Sequence, residues 1–414
     1  MPDSKTRIAI VGGGIAGLVT ATLLHRSGIE VRLFEQSPAF GAVGAGIQLS
    51  PNGVRVLHRL GLAKALTDHA VPARAIETLR WDNAAPIARV PHGTACDERH
   101  GAPYYLMHRA GLQRCLLSVA PQEIVELGAG CARVTERTDG AEVHLTDGSV
   151  VLADLVVGAD GVHSAVRRAV VDDRPRFSGY AVHRGLVPAA LVPALRDDPR
   201  VLFWLGPRRH VTYYPIESGE TVHFSAVGAT DRAPVAASTN GAVEDLGAAF
   251  AGWHEQVRHV ITSARSVTRW DLYDRDIPPR YATERVVLLG DAAHPTLPYL
   301  SQGANQALED AAVLVRCLTA YGPLDWTRAL RRYDALRRPR TAEVHRRARA
   351  LADTFHLPDG PAQTARDRAM STHQSLAHLD WLYGYDTEAA APLTPHAEAA
   401  PSSTPPTPSL TPRS

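Results

Sequence analysis

The feature that most constrains this chain is the run Arg7-Ile8-Ala9-Ile10-Val11, which leads without a break into Gly12-Gly13-Gly14-Ile15-Ala16-Gly17. An apolar run with no polar alternation suits a parallel strand buried on both faces. Residues 16–27 then have helical composition, Gly28 stops the helix, and residues 30–34 give a second strand closed by Glu35. In such a βαβ unit Gly12 makes the tight turn, Gly14 lets backbone approach a pyrophosphate, and Gly17 allows the helix to pack close to the strand. Glu35 stands where a carboxylate takes ribose hydroxyls. The glycine pattern alone is a weak sign, because any tight turn uses glycine. Strand, helix and acid in one register select dinucleotide binding.

A second stretch, GDAAHPTLPYLSQGANQALED from Gly290 to Asp310, follows the apolar run 286–289 and ends in a helix over 304–314. Pro295 and Pro298 stiffen the connection and remove two backbone donors, while Gly303 lets the backbone come close to a bound group. The unpaired N–H groups of a helix start stabilise an anion lying across them. This loop is built to hold a flat ligand.

Between these stretches the chain changes character twice. Three glycines in residues 41–46 make a loop that can press its backbone on a ligand, and Pro51-Asn52 opens a helix over 53–60. Residues 71–103 carry short alternating pieces and are expected to be strands of a separate sheet. Arg109 begins a helix ending near Leu117, where it suits a phosphate or a ring; a surface arginine is the plain alternative. Residues 124–160 read as three strands that deliver Asp160-Gly161 ahead of a helix, with Arg167 one turn in. Asp160 as a helix cap and nothing more is the plain alternative there.

Residues 180–270 are a mostly β insertion with one helix over 244–260. Period two puts His210, Thr212 and Tyr214 on one strand face and Val211 and Tyr213 on the other. The basic stretch 337–349 reads as a solvated helix face. Residues 381–386, WLYGYD, are too aromatic for a free linker and are expected to dock, whereas 387–414, rich in Pro, Ser, Thr and Ala, are expected to be disordered.

Composition matters mainly for what it excludes. With 44 basic and 43 acidic residues, net +1 and scattered, there is no electrostatic footprint for nucleic acid. The first strand starts within about six residues of Met1 and no apolar run approaches the roughly 20 residues of a membrane span, so a cytoplasmic protein is expected. The four cysteines show no metal or disulfide spacing, and the 19 histidines no ligand set, so no metal is expected. Lys5 and Lys64 are the only lysines, which disfavours a P-loop or a Schiff base.

Taken in order and spacing, GGGIAG, Glu35, HRAGL, GADGVHSAVR and GDAAHPTLPYLSQGANQALEDA resemble the single-component FAD-dependent aromatic hydroxylases, the group A flavoprotein monooxygenases. The resemblance covers residues 7 to about 350. It implies an α/β fold: a Rossmann-type FAD-binding domain (1–70, 104–178 and 271–350) with an inserted, mostly antiparallel β-sheet substrate domain (71–103 and 179–270). C-terminal helices over 351–386 follow.

It also implies non-covalent FAD on Gly12, Gly14, Ile15, Ala16, Gly17, Glu35, Gln36, Ala45 and Gly46. Further contacts fall to Arg109, to Val134 near adenine, to Asp160, to Asp291 on the ribitol, and to the backbone of Gly303, Ala304 and Asn305 at the flavin pyrimidine. Gly111 departs from the pattern, since relatives often carry an acid there.

The closest likeness is to salicylate, 3-hydroxybenzoate and 6-hydroxynicotinate hydroxylases. It rests on GAGIQLSPN, His210 with Tyr214, Gln302 and WLYGYD. The implied reaction takes electrons from NADH or NADPH, forms a flavin C4a-hydroperoxide from O2 and hydroxylates a phenolic, small (hetero)aromatic carboxylic acid. Gln48, His210, Tyr214, Pro295 and Gln302 would line the substrate pocket, with His210 as base, Tyr214 beside it and Gln302 orienting the substrate; Pro295, Leu297, Pro298 and Leu300 would keep it dry. No second dinucleotide fingerprint is present, so the nicotinamide partner is expected to visit transiently. A same-fold epoxidase or hydroxylase tailoring a larger natural product shares every FAD motif and remains the alternative. A non-catalytic flavin sensor is disfavoured by the intact loop 295–302. Oligomeric state is open, a homodimer being the one assembly considered.

Overall fold

The computed structural model of the protein describes residues 6–41, 46–231 and 239–392. Ala45 therefore lies outside the described residues, as does most of the segment expected to be disordered.

The N-terminal strand Thr6–Val11 pairs in parallel with Val31–Glu35 on one side and Val150–Gly158 on the other. Val150–Gly158 also pairs in parallel with Val286–Leu288, so both glycine-rich turns leave the same edge of one seven-stranded sheet. Ile8, Ile10, Leu33, Val156, Val157 and Leu288 are fully buried, as strands covered on both faces must be. The helix Ile15–Arg26 packs against the long helix Gly303–Tyr321, which brings the two ligand-binding turns together.

The second sheet has eight strands. In order they are Thr239–Gly241, Val267–Asp274, Arg176–Pro188, Thr221–Ala229, Arg209–Ile216, Arg200–Gly206, Ala75–Arg80 and Pro86–Pro91. One face packs on Trp204, Tyr213, Phe224 and the helices Val243–Ala249 and Glu255–Thr262. The other face looks toward the glycine turns. A small third sheet, Gly46–Leu49, Tyr105–His108 and Val71–Pro72, bridges the two. Among the described residues no helix is long and apolar enough to cross a membrane.

Several expectations change on inspection of the fold. Residues 71–103 are not all strand: Gly93–His100 is a helix, ended by Gly101 at φ +70°, whose few apolar residues gave no periodic signal. A fourth strand, Cys131–Arg137, joins the three expected over 124–160. The helix after Asp160 shrinks to one 3-10 turn, Val166–Ala169, because Arg167 plunges inward instead of continuing a surface helix. The helix over 244–260 breaks in two where Phe250 and Trp253 turn into the core.

The basic stretch is not a solvated face. It belongs to the helix Trp326–Phe355, in which Arg337 is fully buried and donates to Asp310, Glu309 and Gln306, while Arg340 donates to Glu309. Two carboxylates deep in the core needed two cations, and only a neighbouring helix could supply them.

The segment 381–386 docks as expected. Arg340 donates to the Trp381 and Leu382 carbonyls, Arg55 to those of Tyr383 and Tyr385. Order continues past it, because Thr387–Ala390 is a short helix held by Arg316 on the Ala391 carbonyl.

Candidate active site

The glycines of the first turn divide by what a side chain would meet. A Cβ on Gly12 would come within 2.4 Å of the Ala159 carbonyl oxygen, and one on Gly17 within 1.8 Å of the Gly12 carbonyl oxygen, so the chain's own packing demands both glycines. A Cβ on Gly14 would meet nothing within 4 Å. That vacant approach sits at the start of the helix Ile15–Arg26, which has no side-chain cap and no acid in its first turn. Uncapped N–H groups facing open space form an anion cradle, and they fit the FAD pyrophosphate.

The second turn supplies the complementary half. Gly290 takes φ +54°, and Asp291 is exposed and makes no side-chain hydrogen bond among the described residues. An unpartnered carboxylate beside the cradle fits a ribitol hydroxyl. In the helix Gly303–Tyr321 the first internal bond runs from Gln306 N–H to the Gln302 carbonyl, which leaves the N–H groups of Gly303, Ala304 and Asn305 free. Their partial positive charge fits the pyrimidine edge of a reduced flavin.

What holds this half in place is a buried ionic clamp. Asp310 accepts from Gly290 N–H at 2.9 Å and from Arg337 Nε at 2.7 Å, and it pairs with His294. Burial works to raise the Asp310 pKa, but His294 and Arg337 outweigh it and hold the carboxyl at about 2. Arg167, almost wholly buried, donates to the Ala292 and Ala293 carbonyls and to Asp173, tying the segment after Asp160 to the second turn. Asp160 accepts from Ala165 and Val166 N–H and from the Ser164 hydroxyl, so its carboxylate is taken up in capping.

A cavity of about 360 Å³ lies between this cradle and the second sheet. Gly14, Ile15, Ala16, Gly46, Gln48, Arg109, His210, Tyr214, Asp291, Gln302, Gly303 and Ala304 all line it. Period two holds, since His210, Thr212 and Tyr214 face the cavity while Val211 and Tyr213 join the core behind. Pro295 lines an adjoining, larger cleft of about 1040 Å³ that shares Arg109, Arg184, Asp291 and Thr296 with the first. Leu297 and Tyr299 are buried in a hydrophobic cluster with Phe355.

The remaining candidates stand outside this cavity. Glu35 accepts from Gly13 and Ser37 N–H, at 2.7 and 2.8 Å, at the start of the pyrophosphate turn. Gln36 follows it, and Val134 is half-buried in the edge strand Cys131–Arg137. Asn305 spends its side chain on Ser50 N–H and on the Gln48 and Ser301 carbonyls.

His210 is buried and stacks on Phe203, ring centroids 5.0 Å apart. Its Nδ1 lies 2.8 Å from His356 Nε2. Burial, with His356 adding to it, drops the His210 pKa well below the usual histidine value, so the ring is neutral near pH 7. When His210 Nδ1 donates to His356 Nε2, His210 Nε2 keeps a lone pair. A neutral imidazole with a free lone pair is a proton acceptor.

Gln302 lines the cavity, but its amide is already engaged within the protein. Its amide donates to Ser50 Oγ and accepts from Asn52 and Gln306, inside a buried network that ends on Glu309. Gln48 is better placed, lining the cavity with its carbonyl oxygen fixed by the Tyr104 hydroxyl at 2.7 Å. Tyr383 packs behind Tyr104, which gives the docked C-terminal segment a structural part in the pocket.

Sequence reasoning missed Arg184, Phe203, Tyr299 and His356. Arg184 and Phe203 alternate on strands whose partners were unknown, and His356 sits 146 residues from the histidine it touches. Ser301, at φ +53°, was also missed; a non-glycine residue in that conformation next to a cavity was the one local signal available only from coordinates.

A family model described as FAD binding domain matches residues 5–348. The 3-amino-4-hydroxybenzoate 2-monooxygenase of Streptomyces cremeus is 65% identical over 384 residues, covering 93% of this chain and 96% of that protein. The 6-hydroxynicotinate 3-monooxygenase of Bordetella bronchiseptica is 32% identical over 401 residues, covering 96% and 100%. A solved salicylate hydroxylase substrate complex superposes with a TM-score of 0.80 at 28% identity, over 96% of this chain and 100% of that one.

Proposed function

We propose, from the premise that the chain belongs to the FAD-binding-domain family of flavoprotein monooxygenases, that it hydroxylates an aminohydroxybenzoate next to its carboxylate. The protein is an FAD-dependent oxidoreductase, and the family acts on aromatic acids. The balanced reaction consumes one NAD(P)H, one O2 and one proton per hydroxylated acid, and releases NAD(P)+ and water. The observation that carries the reading is that His210 and Tyr214 face, across one cavity, the backbone cradle of Gly14, Asp291 and Gly303.

Bound FAD supplies the electron transfer and the oxygen activation. Gly14, the uncapped start of Ile15–Arg26, Asp291 and the start of Gly303–Tyr321 would hold it. The chain's own task is to position the ring, enrich it in electrons and keep water out. In a 3-amino-4-hydroxybenzoate, carbon 2 is ortho to the amino group and meta to the hydroxyl, so its electron density comes mainly from the amino nitrogen. His210 Nε2 serves by sharing the proton of the ring donor beside the attacked carbon. Phe203, Leu297, Tyr299 and Phe355 give that proton a dry setting.

A single ring suits the cavity of about 360 Å³ beside the reacting edge of the flavin, whereas a larger substrate would extend into the adjoining cleft of about 1040 Å³. A screen of amino- and hydroxybenzoates and hydroxypyridine carboxylates for stimulated NAD(P)H oxidation tests the reading. Stimulation greatest with 3-amino-4-hydroxybenzoate, and lost when the amino group is absent, is the expected result. Stimulation by multi-ring phenols and by no benzoate would move the assignment to a natural-product hydroxylase.

A further inference from the structure

Strand register places one cation where the chain gives it nothing to pair with. Across the second sheet Phe203 lies opposite Thr212, Thr212 opposite Ser225, Ser225 opposite Arg184, and Arg184 opposite Thr268. Directly opposed residues share a face, so these side chains form one row across the cavity-facing side. The next row contains His210, Val227 and Val182. The row beyond Thr212 in the other direction contains Tyr214 and His223.

Arg184 lines both cavities and makes no ion pair or side-chain hydrogen bond with any described residue. Its neighbours on the face are hydroxyls, His223 and Tyr214, and Arg109 lines the same two cavities. Burial, with Arg109 adding to it and Tyr214 opposing, pulls the guanidinium below its ordinary value. An arginine still remains charged near neutrality. Holding an uncompensated guanidinium in such a place costs folding free energy, so the position makes sense when an anion arrives with the ligand.

We infer that Arg184 receives the carboxylate of the aromatic acid and, with His210, sets which ring carbon faces the flavin. This rests on the aromatic-acid reading above. His210 and Arg184 are two strands and two residues apart, which puts their backbones about 12 Å from each other. An arginine and a histidine side chain reaching inward leave room for one benzene ring between them. In a 3-aminobenzoate the carbon flanked by both substituents is carbon 2. A carboxylate on Arg184 and an amine on His210 therefore present that carbon between the two anchors.

The test uses FAD-loaded protein and titration calorimetry with 3-amino-4-hydroxybenzoate, its carboxamide, and plain benzoate. Wild type should bind the acid roughly 10- to 100-fold more tightly than the amide, the range for a hydrogen bond to a charged group. Arg184→Gln should bind acid and amide alike, with amide affinity, FAD content and NAD(P)H affinity unchanged, and Arg184→Lys should keep part of the preference. Without ligand, Arg184→Gln should melt at the same temperature as wild type or higher, because it removes an unpaired, half-buried charge. An Arg184→Gln protein that folds, holds FAD and still prefers the acid overturns the inference, and so does a loss that falls on NAD(P)H binding. The two readings separate cleanly. Benzoate binding that depends on Arg184 in a protein that oxidises no aromatic acid keeps this inference and removes the reaction. Turnover with an undiminished acid preference in the variant does the reverse.

Discussion

At the scale of single residues the proposed chemistry converges on His210. Its neutrality comes from burial, its orientation from His356, and its dryness from Phe203 and Tyr299. Replacing it tests whether those three conditions serve the reaction. His210→Ala should retain FAD and accept electrons from NAD(P)H, because none of the cradle residues is touched. Product formed per NAD(P)H should fall and hydrogen peroxide should rise, with the assisted step slowed about 10²- to 10⁴-fold. Full coupling in a stable variant would remove His210 from the mechanism. The placement of this residue was partly legible from sequence, since period two alone put it on a face with Tyr214. Its partner was not, because nothing local links residue 210 to residue 356. Arg184 was invisible for a related reason: a lone arginine in an alternating strand gains meaning only when register shows that no acid stands opposite.

At the scale of elements, the architecture depends on the contact between Gly303–Tyr321 and Trp326–Phe355. Arg337 is fully buried with Glu309 and Asp310, and burial pressure on its charge is outweighed by those two acids. Arg337→Ala should destabilise the fold by about 3–5 kcal/mol, because it leaves two carboxylates buried with one remaining arginine. Chemical denaturation of FAD-loaded protein measures this, and a change below about 1 kcal/mol would mean that water or Arg340 compensates. The glycine turns were readable because each glycine answers to local geometry that its own neighbours reveal. The clamp was misread as a solvated face because one helix's composition does not show which acids another helix will bury against it. The same limit explains Gln302, whose amide looked available until Ser50, Asn52 and Gln306 were brought to it by the fold.

For the molecule as a whole, several histidines spread through the fold are kept neutral by burial. His92, His345 and His356 are pushed down to about 4, and His210 and His223 lie well below the usual value. The folded state resists taking up protons that the unfolded chain accepts near pH 6.5, so stability is complete above that value and declines as pH falls toward 4. Each of the three histidines near 4 contributes a loss on the order of 3 kcal/mol by the lower limit. A melting temperature flat between pH 7 and pH 5 would contradict this. The central claim is that the two halves of the cavity cooperate in one oxygen transfer, and it is tested most directly with isotopically labelled O2. FAD-loaded protein given NAD(P)H, ¹⁸O2 and 3-amino-4-hydroxybenzoate should yield a hydroxylated acid carrying one labelled oxygen, with one NAD(P)H consumed per product. Label drawn from water, or NAD(P)H oxidised to peroxide with no hydroxylated acid from any aromatic carboxylate, would contradict the account.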